Sequence, residues 1–328
     1  MLILNEADVR RLASMEEAID AVAAALREYS RGRTVTPVRA HVQVEKAGGT
    51  SLFMPSYVEA RDSLGIKVVS VFPGNQAVGR RTINGVMLLA DVHSGEPLAL
   101  MEASYLTVLR TGAAAGLATR CLARAAAEIL AVIGTGAQAE GAVAAIRAVR
   151  PIRQMRLYNR SRGKAEAFAA RIAGQPGGSL AVKVCDDPDE AVAGADIVVT
   201  ATTSPTPVFA ADAVAPGTHV NAIGSYRPTM QELPSALLSR AQKVVVESRE
   251  GALAETGDLL IPIGQGLFSA DRIHGELGEI VDGRLPGRER QDEITVFKSV
   301  GLAAMDVVAA KLLYDRAVSL GVGSRISL

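Results

Sequence analysis

Three basic residues lie in apolar stretches of the N-terminal third of the chain. Arg39 follows Thr-Pro-Val, Lys67 lies within Gly-Ile-Lys-Val-Val, and Arg110 ends the run Leu-Thr-Val-Leu-Arg. A cation among Val and Ile side chains is costly unless it is paired or binds a ligand. From the residues alone, each of the three is either a partnered structural charge or a ligand-binding group.

Other common reactive patterns are missing from the sequence. It contains no GxSxG and no HExxH pattern, and its two cysteines, Cys121 and Cys185, are far apart and have no CxxC partner. Among the four histidines, only His41 lies near one of the candidate cations. We therefore expect two buried thiols, no metal site and no nucleophile of the serine-hydrolase type.

A glycine-rich turn follows a continuous apolar run near the middle of the chain. The run Ile129–Ile133 is typical of a strand buried on both faces, and Gly134-Thr-Gly-Ala-Gln-Ala139 then opens a helical stretch. In such a GxGxxA turn the first glycine permits the tight bend, the second lets a pyrophosphate approach, and the alanine allows close helix packing. The helix N-terminus adds N–H donors and a partial positive charge. These features predict a dinucleotide site.

The end of the next predicted strand, Gln154–Tyr158, indicates which dinucleotide binds. A carboxylate there would hold the ribose 2′-hydroxyl of NAD, but the sequence has Asn159, Arg160 and Ser161. Arg160 can bind a 2′-phosphate through two hydrogen bonds, and no carboxylate is present to repel that phosphate. We predict that NADP(H) is preferred and that NAD(H) is also possible.

The secondary structure predicted to position these residues changes in type along the chain. A helix begins after Ser14, which has capping-box spacing to Glu17, and short strands follow over residues 38–103. From residue 129 strands alternate with helices, which is typical of a doubly wound parallel sheet. Residues 294–320 are predicted to form one long amphipathic helix that returns to the N-terminal region. The fold class is therefore α/β.

Length and composition exclude several classes of protein. The 328 residues, of which 48% are apolar, correspond to about two domains. The 35 basic and 35 acidic side chains leave no net charge to attract nucleic acid. No apolar run approaches the roughly 20 residues that span a bilayer, and no signal peptide is recognised at the N-terminus. We expect a cytoplasmic protein with a small-molecule substrate and neither a nucleic-acid nor a membrane partner.

Several segments, in order along the chain, carry a resemblance to one family. The chain resembles the ornithine cyclodeaminase/mu-crystallin family over essentially its whole length. The matching segments are Phe53-Met-Pro-Ser-Tyr57, Lys67-Val-Val-Ser70, Thr82-Ile-Asn-Gly-Val-Met-Leu-Leu-Ala-Asp91, Gly95-Glu-Pro-Leu-Ala99, Leu109-Arg-Thr-Gly-Ala-Ala-Ala115, Gly134-Thr-Gly-Ala-Gln-Ala139, Asn221-Ala-Ile-Gly224 and Thr295-Val-Phe-Lys-Ser-Val-Gly301.

The resemblance implies a fold, an assembly and residue roles. It implies a homodimer whose chain has an α+β substrate and dimerisation domain, residues 1–117 and 303–328, completed by the C-terminal helix, and an NAD(P)-binding Rossmann domain, residues 118–302. It makes Arg39, Lys67 and Arg110 the catalytic candidates and the ligands of the substrate carboxylate, with Lys67 also a candidate for proton transfer. Further substrate-binding candidates are Met54, Tyr226 and Gly301. The cofactor-binding candidates are Thr82, Thr111, Gly134, Thr135, Gly136, Ala137, Gln138, Asn159, Arg160, Ser161, Thr200, Ala201, Thr202, Ile223, Gly224 and Ser299.

One position departs from the true cyclodeaminases of this family. They carry a catalytic aspartate after the Asn-Ala-x-Gly strand, whereas this chain has Tyr226. A phenol is uncharged near neutral pH and cannot replace a carboxylate that faces an ammonium. The Ser-x-Arg-Pro pattern after Gly224 is more similar to the mu-crystallin and imine-reductase branch.

The resemblance therefore implies an NADPH-dependent oxidoreductase of C=N bonds. Its substrate would be a cyclic imino acid of the pyrroline-2-carboxylate or piperideine-2-carboxylate type, which it would reduce to the cyclic amino acid. The alternatives are an ornithine cyclodeaminase, an alanine-type amino-acid dehydrogenase and a non-catalytic NADPH-dependent binding protein. The presence of all three cations favours an enzyme over a pure binder.

Overall fold

The computed structural model describes residues 1–174 and 180–327. Its strands are β1 (Leu2–Leu4), β2 (Thr34–Val35), β3 (Ala40–Val44), β4 (Gly49–Val58), β5 (Ser63–Val71), β6 (Ile83–Ala90), β7 (Pro97–Glu102), β8 (Ile129–Ile133), β9 (Gln154–Tyr158), β10 (Ala181–Val184), β11 (Ile197–Thr200), β12 (His219–Ala222), β13 (Lys243–Val246), β14 (Ile273–Glu276), β15 (Thr295–Lys298) and β16 (Ser324–Arg325). Its α-helices are α1 (Glu6–Leu12), α2 (Met15–Ser30), α3 (Ala103–Leu122), α4 (Ala137–Val149), α5 (Arg162–Ala173), α6 (Pro188–Val192), α7 (Ser235–Arg240), α8 (Arg249–Glu255), α9 (Gly257–Gly264), α10 (Leu277–Val281) and α11 (Ala303–Leu320). None of the helices in this part of the chain is both long and apolar enough to cross a membrane.

The chain divides into two compact units. Unit 1 comprises Met1–Arg110 and Leu302–Leu328, and unit 2 comprises Thr111–Gly301. The resemblance implies boundaries after residues 117 and 302, and the two compact units divide after residues 110 and 301. The first difference arises because α3 continues through the boundary, so no loop or change of periodicity marks it. Residue 328, the end of the predicted first domain, lies outside the described residues.

Unit 1 is a mixed sheet covered by helices. Its strands run in the order β16-β1-β7-β6-β5-β4-β2, and β3 also pairs with β4. Helix α11 packs on β4, β5, β6 and α2. Successive residues of a strand face opposite sides of the sheet. The row Met54, Lys67 and Met87 is buried, and the adjacent row on the other side is partly exposed.

The predicted capping box at the start of α2 is present. Ser14 accepts a hydrogen bond from the backbone of Glu17, and the Glu17 carboxylate accepts one from the Ser14 backbone. Two of the N–H groups near the helix start are thereby satisfied, which fixes where the helix begins.

Unit 2 is a doubly wound parallel sheet of the Rossmann type. Its strand order is β10-β9-β8-β11-β12-β15-β13-β14, and every neighbouring pair is parallel. Alternate residues of β8 belong to two separate apolar cores, with Leu130 and Val132 in one and Ala131 and Ile133 in the other. The strand order reverses between β8 and β11, and such a reversal opens a crevice at the carboxyl ends of the strands.

The prediction of one helix over residues 294–320 is wrong in its first part. Residues Thr295–Lys298 form β15, which pairs with β12 and β13, and the helix begins only at Ala303. The Thr-Val-Phe segment favours a strand. Gly301 has a φ of +89°, which is incompatible with a right-handed helix, so α11 begins only after it.

Candidate active site

A buried charge cluster lies between β5, α3 and α11 in unit 1. The Lys67 Nζ donates a hydrogen bond of 2.8 Å to Asp306 Oδ1, and the Arg110 Nε donates one of 2.9 Å to the same oxygen. The side chains of Lys67, Arg110 and Asp306 are 1%, 6% and 0% exposed. Burial of this kind requires the charges to be paired, and one carboxylate partners both cations.

The surroundings of the cluster change the acidity of Lys67. Burial, the charge of Arg110 and that of Arg39 lower the pKa of Lys67 to about 7, although Asp306 opposes the shift. Burial alone would raise the pKa of Asp306, but Arg110 and Lys67 outweigh it and hold that pKa below its usual value. Lys67 can therefore exchange a proton near neutral pH while Asp306 stays ionised.

The remaining predicted substrate residues of unit 1 lie on the same sheet or beside it. Met54 pairs with Lys67 across β4 and β5 and is 2% exposed. Arg39 directly precedes β3 and is half-buried, and its charge acts on Lys67. Thr82, a predicted cofactor residue, precedes β6, and its carbonyl accepts a hydrogen bond from the Phe72 backbone. Lys67 and Arg110 thus lie in one cluster, and Arg39 lies near enough for its charge to act on Lys67.

The glycine turn of unit 2 has the geometry that a phosphate-binding turn needs. Gly134 has a φ of +93°, and a Cβ atom there would lie 2.6 Å from the Ala201 carbonyl oxygen, so only glycine fits. The Gly134 N–H donates to the Tyr158 carbonyl, which joins the ends of β8 and β9. Gly136 precedes α4 and has no side chain that could cap its first N–H groups.

Neighbouring residues complete the turn. Thr135 and Ala137 flank Gly136, and the Gln138 Oε1 is buried without a hydrogen-bond partner among the described residues. Thr111 is buried on α3, and a Cβ on the following Gly112 would lie 2.4 Å from a carbonyl of α4. The small residue lets α3 and α4 approach closely. These features fit the pyrophosphate of a dinucleotide.

The loop after β9 is basic and exposed. Asn159 donates a hydrogen bond of 3.0 Å to the Ser161 carbonyl, which tightens the loop before α5. Arg162 is ion-paired with Glu166 and Asp186, whereas Arg160 forms no ion pair with any residue that the structure describes. The Arg160 guanidinium is therefore available to an anionic ligand at the end of this strand.

A buried carboxylate joins the loops after β11 and β12. The Glu232 Oε1 accepts a hydrogen bond of 2.6 Å from the Thr202 N–H, and its Oε2 accepts one of 2.7 Å from the Gly224 N–H. Thr200, Ala201 and Ile223 complete these loops, and the Ile223 N–H donates to the Thr200 carbonyl. Burial and Asp258 raise the pKa of Glu232, while Lys298 opposes the shift.

Two further buried acids hold the neighbouring segments. Asp258 accepts hydrogen bonds from the backbone N–H groups of Glu232 and Leu233 and lies 3.1 Å from the Lys298 ammonium at the end of β15. Glu247 accepts hydrogen bonds from the backbone N–H groups of Val300 and Gly301. These contacts fix the carboxyl-end loops of unit 2.

Two predicted residues lie on these loops. The Ser299 N–H donates to the Ala222 carbonyl, and Ser299 is 2% exposed. Tyr226 is half-buried in the loop after β12, and the Arg227 guanidinium lies 5.4 Å from the centre of its ring.

The buried acids of these networks, and Lys298, are not among the site residues predicted from the sequence. Asp306 stands in the apolar helical run Ala-Ala-Met-Asp-Val-Val, and Lys298 ends the strand Thr-Val-Phe-Lys. A lone charge in an apolar run is the feature that marks Lys67 as a candidate, and Asp306 and Lys298 share this feature. Glu232 and Glu247 have no comparable signal, because each lies in a mixed segment and accepts its hydrogen bonds from the backbone.

Comparison with known proteins gives matches over nearly the whole chain. The model of the ornithine cyclodeaminase/mu-crystallin family matches residues 1–321. The Delta(1)-pyrroline-2-carboxylate reductase of Bacillus cereus is 51% identical over 329 residues, which cover 99% of each chain. The structure of the Thermococcus litoralis Delta(1)-pyrroline-2-carboxylate reductase in complex with NADH and L-proline has a TM-score of 0.96 at 40% identity, covering 99% of this chain and 100% of that one. An archaeal alanine dehydrogenase dimer with bound NAD has a TM-score of 0.92 at 36% identity, covering 100% of this chain and 99% of that one.

Proposed function

The chain belongs to the ornithine cyclodeaminase/mu-crystallin family and is a nicotinamide-dependent oxidoreductase of C=N bonds, and from this premise we propose that it reduces a cyclic ketimine carboxylate to the cyclic amino acid. The substrate is of the pyrroline-2-carboxylate or piperideine-2-carboxylate type, and NADPH is the preferred donor. The observation that carries the proposal is the buried pair of cations, Lys67 and Arg110, which shares a single carboxylate. The Bacillus cereus relative supports the choice of substrate.

The charge cluster of unit 1 is suited to a substrate carboxylate. With Lys67 protonated, Lys67, Arg110 and Asp306 carry a net charge of +1, and Arg39 adds to it. Arg110 uses its Nε for Asp306, and its terminal nitrogens donate no hydrogen bond within the described residues. This free edge of the guanidinium matches the two oxygens of a carboxylate. The substrate would be anchored there with its ring in a fixed orientation.

Reduction of the imine needs one hydride at carbon and one proton at nitrogen. When bound, the dihydronicotinamide supplies the hydride. Lys67 supplies the proton, because its pKa of about 7 allows the ammonium to release it near neutral pH. The hydride and the proton together convert C=N to CH–NH.

Apart from Thr82, the residues that would hold the cofactor lie in unit 2. The turn from Gly134 to Gln138 would take the pyrophosphate, and Asn159, Arg160 and Ser161 would surround the adenosine ribose. The guanidinium of Arg160 has no ion pair within the described residues and could bind a 2′-phosphate, which supports NADPH as the donor. The loops tied by Glu232 would flank the nicotinamide, with Ser299 on the same edge of the sheet.

Tyr226 argues against cyclodeaminase activity. Release of ammonia from ornithine would need an anionic group that faces the substrate ammonium, and a phenol is neutral near pH 7. The charged group against the Tyr226 ring is an arginine, Arg227. An imine lacks the second amino group, so reduction makes no such demand.

A substrate panel tests the proposal and its rivals. We expect steady loss of NADPH with pyrroline-2-carboxylate or piperideine-2-carboxylate, none with pyruvate plus ammonia, and no ammonia from ornithine. NADPH loss with pyruvate plus ammonia alone would favour an amino-acid dehydrogenase. Ammonia release from ornithine would favour a cyclodeaminase. Cofactor binding without turnover of any of these compounds would favour a binding protein.

We also infer that two chains associate through the outer face of the unit 1 sheet. Phe53, Val68 and Val86 lie side by side across β4, β5 and β6 on the face opposite Lys67. Phe53 and Val68 are half-buried, and Val86 is 44% exposed. An apolar sheet face of this kind is stabilised by covering it. The archaeal alanine dehydrogenase, a dimer, supports a homodimer here.

A further inference from the structure

We propose that Asp306 is a positioning residue whose buried carboxylate holds the Lys67 ammonium and the Arg110 guanidinium in one arrangement and so directs their remaining N–H groups at the substrate. The inference rests on the proposed function for the identity of that substrate, a small cyclic carboxylate. It assigns a task to a residue that lies far from both cations in the sequence, 239 residues from Lys67 and 196 from Arg110.

The geometry of the carboxylate carries the proposal. One oxygen, Oδ1, accepts hydrogen bonds of 2.8 Å and 2.9 Å from cations on two different elements, β5 and α3. Asp306 itself is 0% exposed on α11. Because all three side chains are removed from water, the ion pairs are not screened and each cation has few alternative positions. A surface carboxylate would impose no such order.

The donors that Asp306 leaves unused are those that suit an anion. Arg110 donates its Nε to Asp306, which leaves the planar edge with both terminal nitrogens. Lys67 directs one of its three N–H groups at Asp306. Without the carboxylate, the Arg110 side chain would rotate freely about its last torsions, and the two cations would repel each other.

The charged groups around Lys67 come from three elements. Asp306 faces it from α11, Arg110 from α3, and Arg39 from the segment before β3. Only Asp306 favours the ammonium form among them, since both arginines and burial favour the neutral amine. Removal of its charge therefore lowers the pKa of Lys67 further, and an opposite charge at this range is worth about 1–3 pH units.

Asp306→Asn is a suitable replacement because it keeps the shape of the side chain. The second carboxylate oxygen, Oδ2, is buried and accepts no hydrogen bond within the described residues. An amide group in that position meets no donor, so the remaining oxygen can still face both cations. The matched control is Asp8→Asn in the same unit, because Asp8 is also buried and pairs with an arginine, Arg11, at 2.8 Å.

The first measurement does not depend on the substrate. The Lys67 side chain is titrated by ¹³Cε NMR in the wild type, Asp306→Asn and Asp8→Asn, with the signal assigned by its loss in Lys67→Arg. We expect the midpoint to fall by at least about one pH unit in Asp306→Asn and to stay unchanged in Asp8→Asn. An unchanged midpoint in Asp306→Asn overturns the proposal.

The second measurement is the pH profile of kcat/KM with pyrroline-2-carboxylate. We expect its descending limb to move toward acid by a similar amount and kcat/KM near pH 7.5 to fall about 100-fold in Asp306→Asn. A merely structural role would lower the melting temperature and leave the limb and KM in place. If the wild type reduces no cyclic imine, the proposed function fails, while the NMR titration still decides the role of Asp306.

A second variant guards against misfolding of the first. Asp306→Glu keeps the charge but moves it by one methylene, so we expect the descending limb to remain and KM for the imine acid to rise several-fold. A KM equal to that of the wild type would contradict the claim that Asp306 fixes the direction of the two cations.

Discussion

At the scale of single residues, the pKa of Lys67 sets the pH range of the proposed reaction. Burial, Arg110 and Arg39 lower it to about 7, so the ammonium that carries the proton is lost as the pH rises through that value. We expect kcat/KM for the cyclic imine to fall about tenfold per pH unit above about pH 7, once the titration of the substrate itself is measured separately.

Two variants test whether Lys67 causes this fall in kcat/KM above pH 7. Lys67→Met should lose at least about 100-fold in turnover while it still binds NADPH in a fluorescence titration, because all the predicted cofactor residues except Thr82 lie in unit 2. Lys46→Met, which alters an exposed lysine of the same unit, should keep both the turnover and the fall of kcat/KM at high pH. A wild-type profile that stays flat to pH 9 would contradict the role of Lys67.

The proposed preference for NADPH depends on Arg160. We expect Arg160→Ala to lower kcat/KM for NADPH about tenfold and to leave that for NADH nearly unchanged, because only NADPH carries the 2′-phosphate. Arg153→Ala is the control, since Arg153 is also exposed but is paired with Glu128. Equal losses for the two cofactors, or a wild type that prefers NADH, would remove Arg160 from this role.

At this scale the sequence identifies the cations but not their partner. Lys67 and Arg110 stand out as charges in apolar runs, and the same argument applied to the C-terminal helix selects Asp306. What the sequence does not contain is the pairing, because it joins residues 239 positions apart. Only the packing of α11 on β5 brings them together.

At the scale of elements, the turn between β8 and α4 is tightly constrained. We expect Gly134→Ala to abolish tight cofactor binding or to lower the melting temperature by several degrees, because the new Cβ would meet the Ala201 carbonyl at 2.6 Å and the φ of +93° disfavours alanine. Gly163→Ala in α5 is the control, since nothing lies within 4 Å of its Cβ and alanine favours a helix. Normal cofactor affinity and stability in Gly134→Ala would contradict the assignment.

Some helices and strands are predicted correctly from the sequence and others are not, for a physical reason. Strand β9, Gln154–Tyr158, has the predicted bounds, and helix α4, Ala137–Val149, begins at the glycine turn as predicted, because apolar runs, glycines and helical periodicity agree there. The segment 294–320 does not, because its apolar spacing satisfies a helix throughout. Strand β15 forms there because it lies between β12 and β13, and its position in the sheet overrides the local pattern.

At the scale of the whole molecule, the proposed dimer makes the outer sheet face of unit 1 essential. We expect Val86→Asp to convert a dimer into a monomer by light scattering, because a charge would enter the apolar row of Phe53, Val68 and Val86. Val318→Asp makes the same change at a residue 45% exposed on α11 and should leave the dimer intact. A wild type that is monomeric at all concentrations would contradict the interface.

The division of the chain is the property that the sequence predicts least sharply. The first boundary falls inside α3, between Arg110 and Thr111, where helical periodicity continues without a break. The chain returns to unit 1 at Leu302, directly after Gly301, which has positive φ. Overall neutrality is compatible with two anionic ligands because the positive charge is local, around Lys67 and at Arg160.

The most direct test of the central claim is the stoichiometry of one reaction. Purified protein is mixed with NADPH and pyrroline-2-carboxylate, and NADPH loss and L-proline formation are measured together. The account predicts one L-proline for each NADPH oxidised, with the rate falling at least about 100-fold in Lys67→Met. No L-proline, or L-proline formed at an undiminished rate by Lys67→Met, would contradict it.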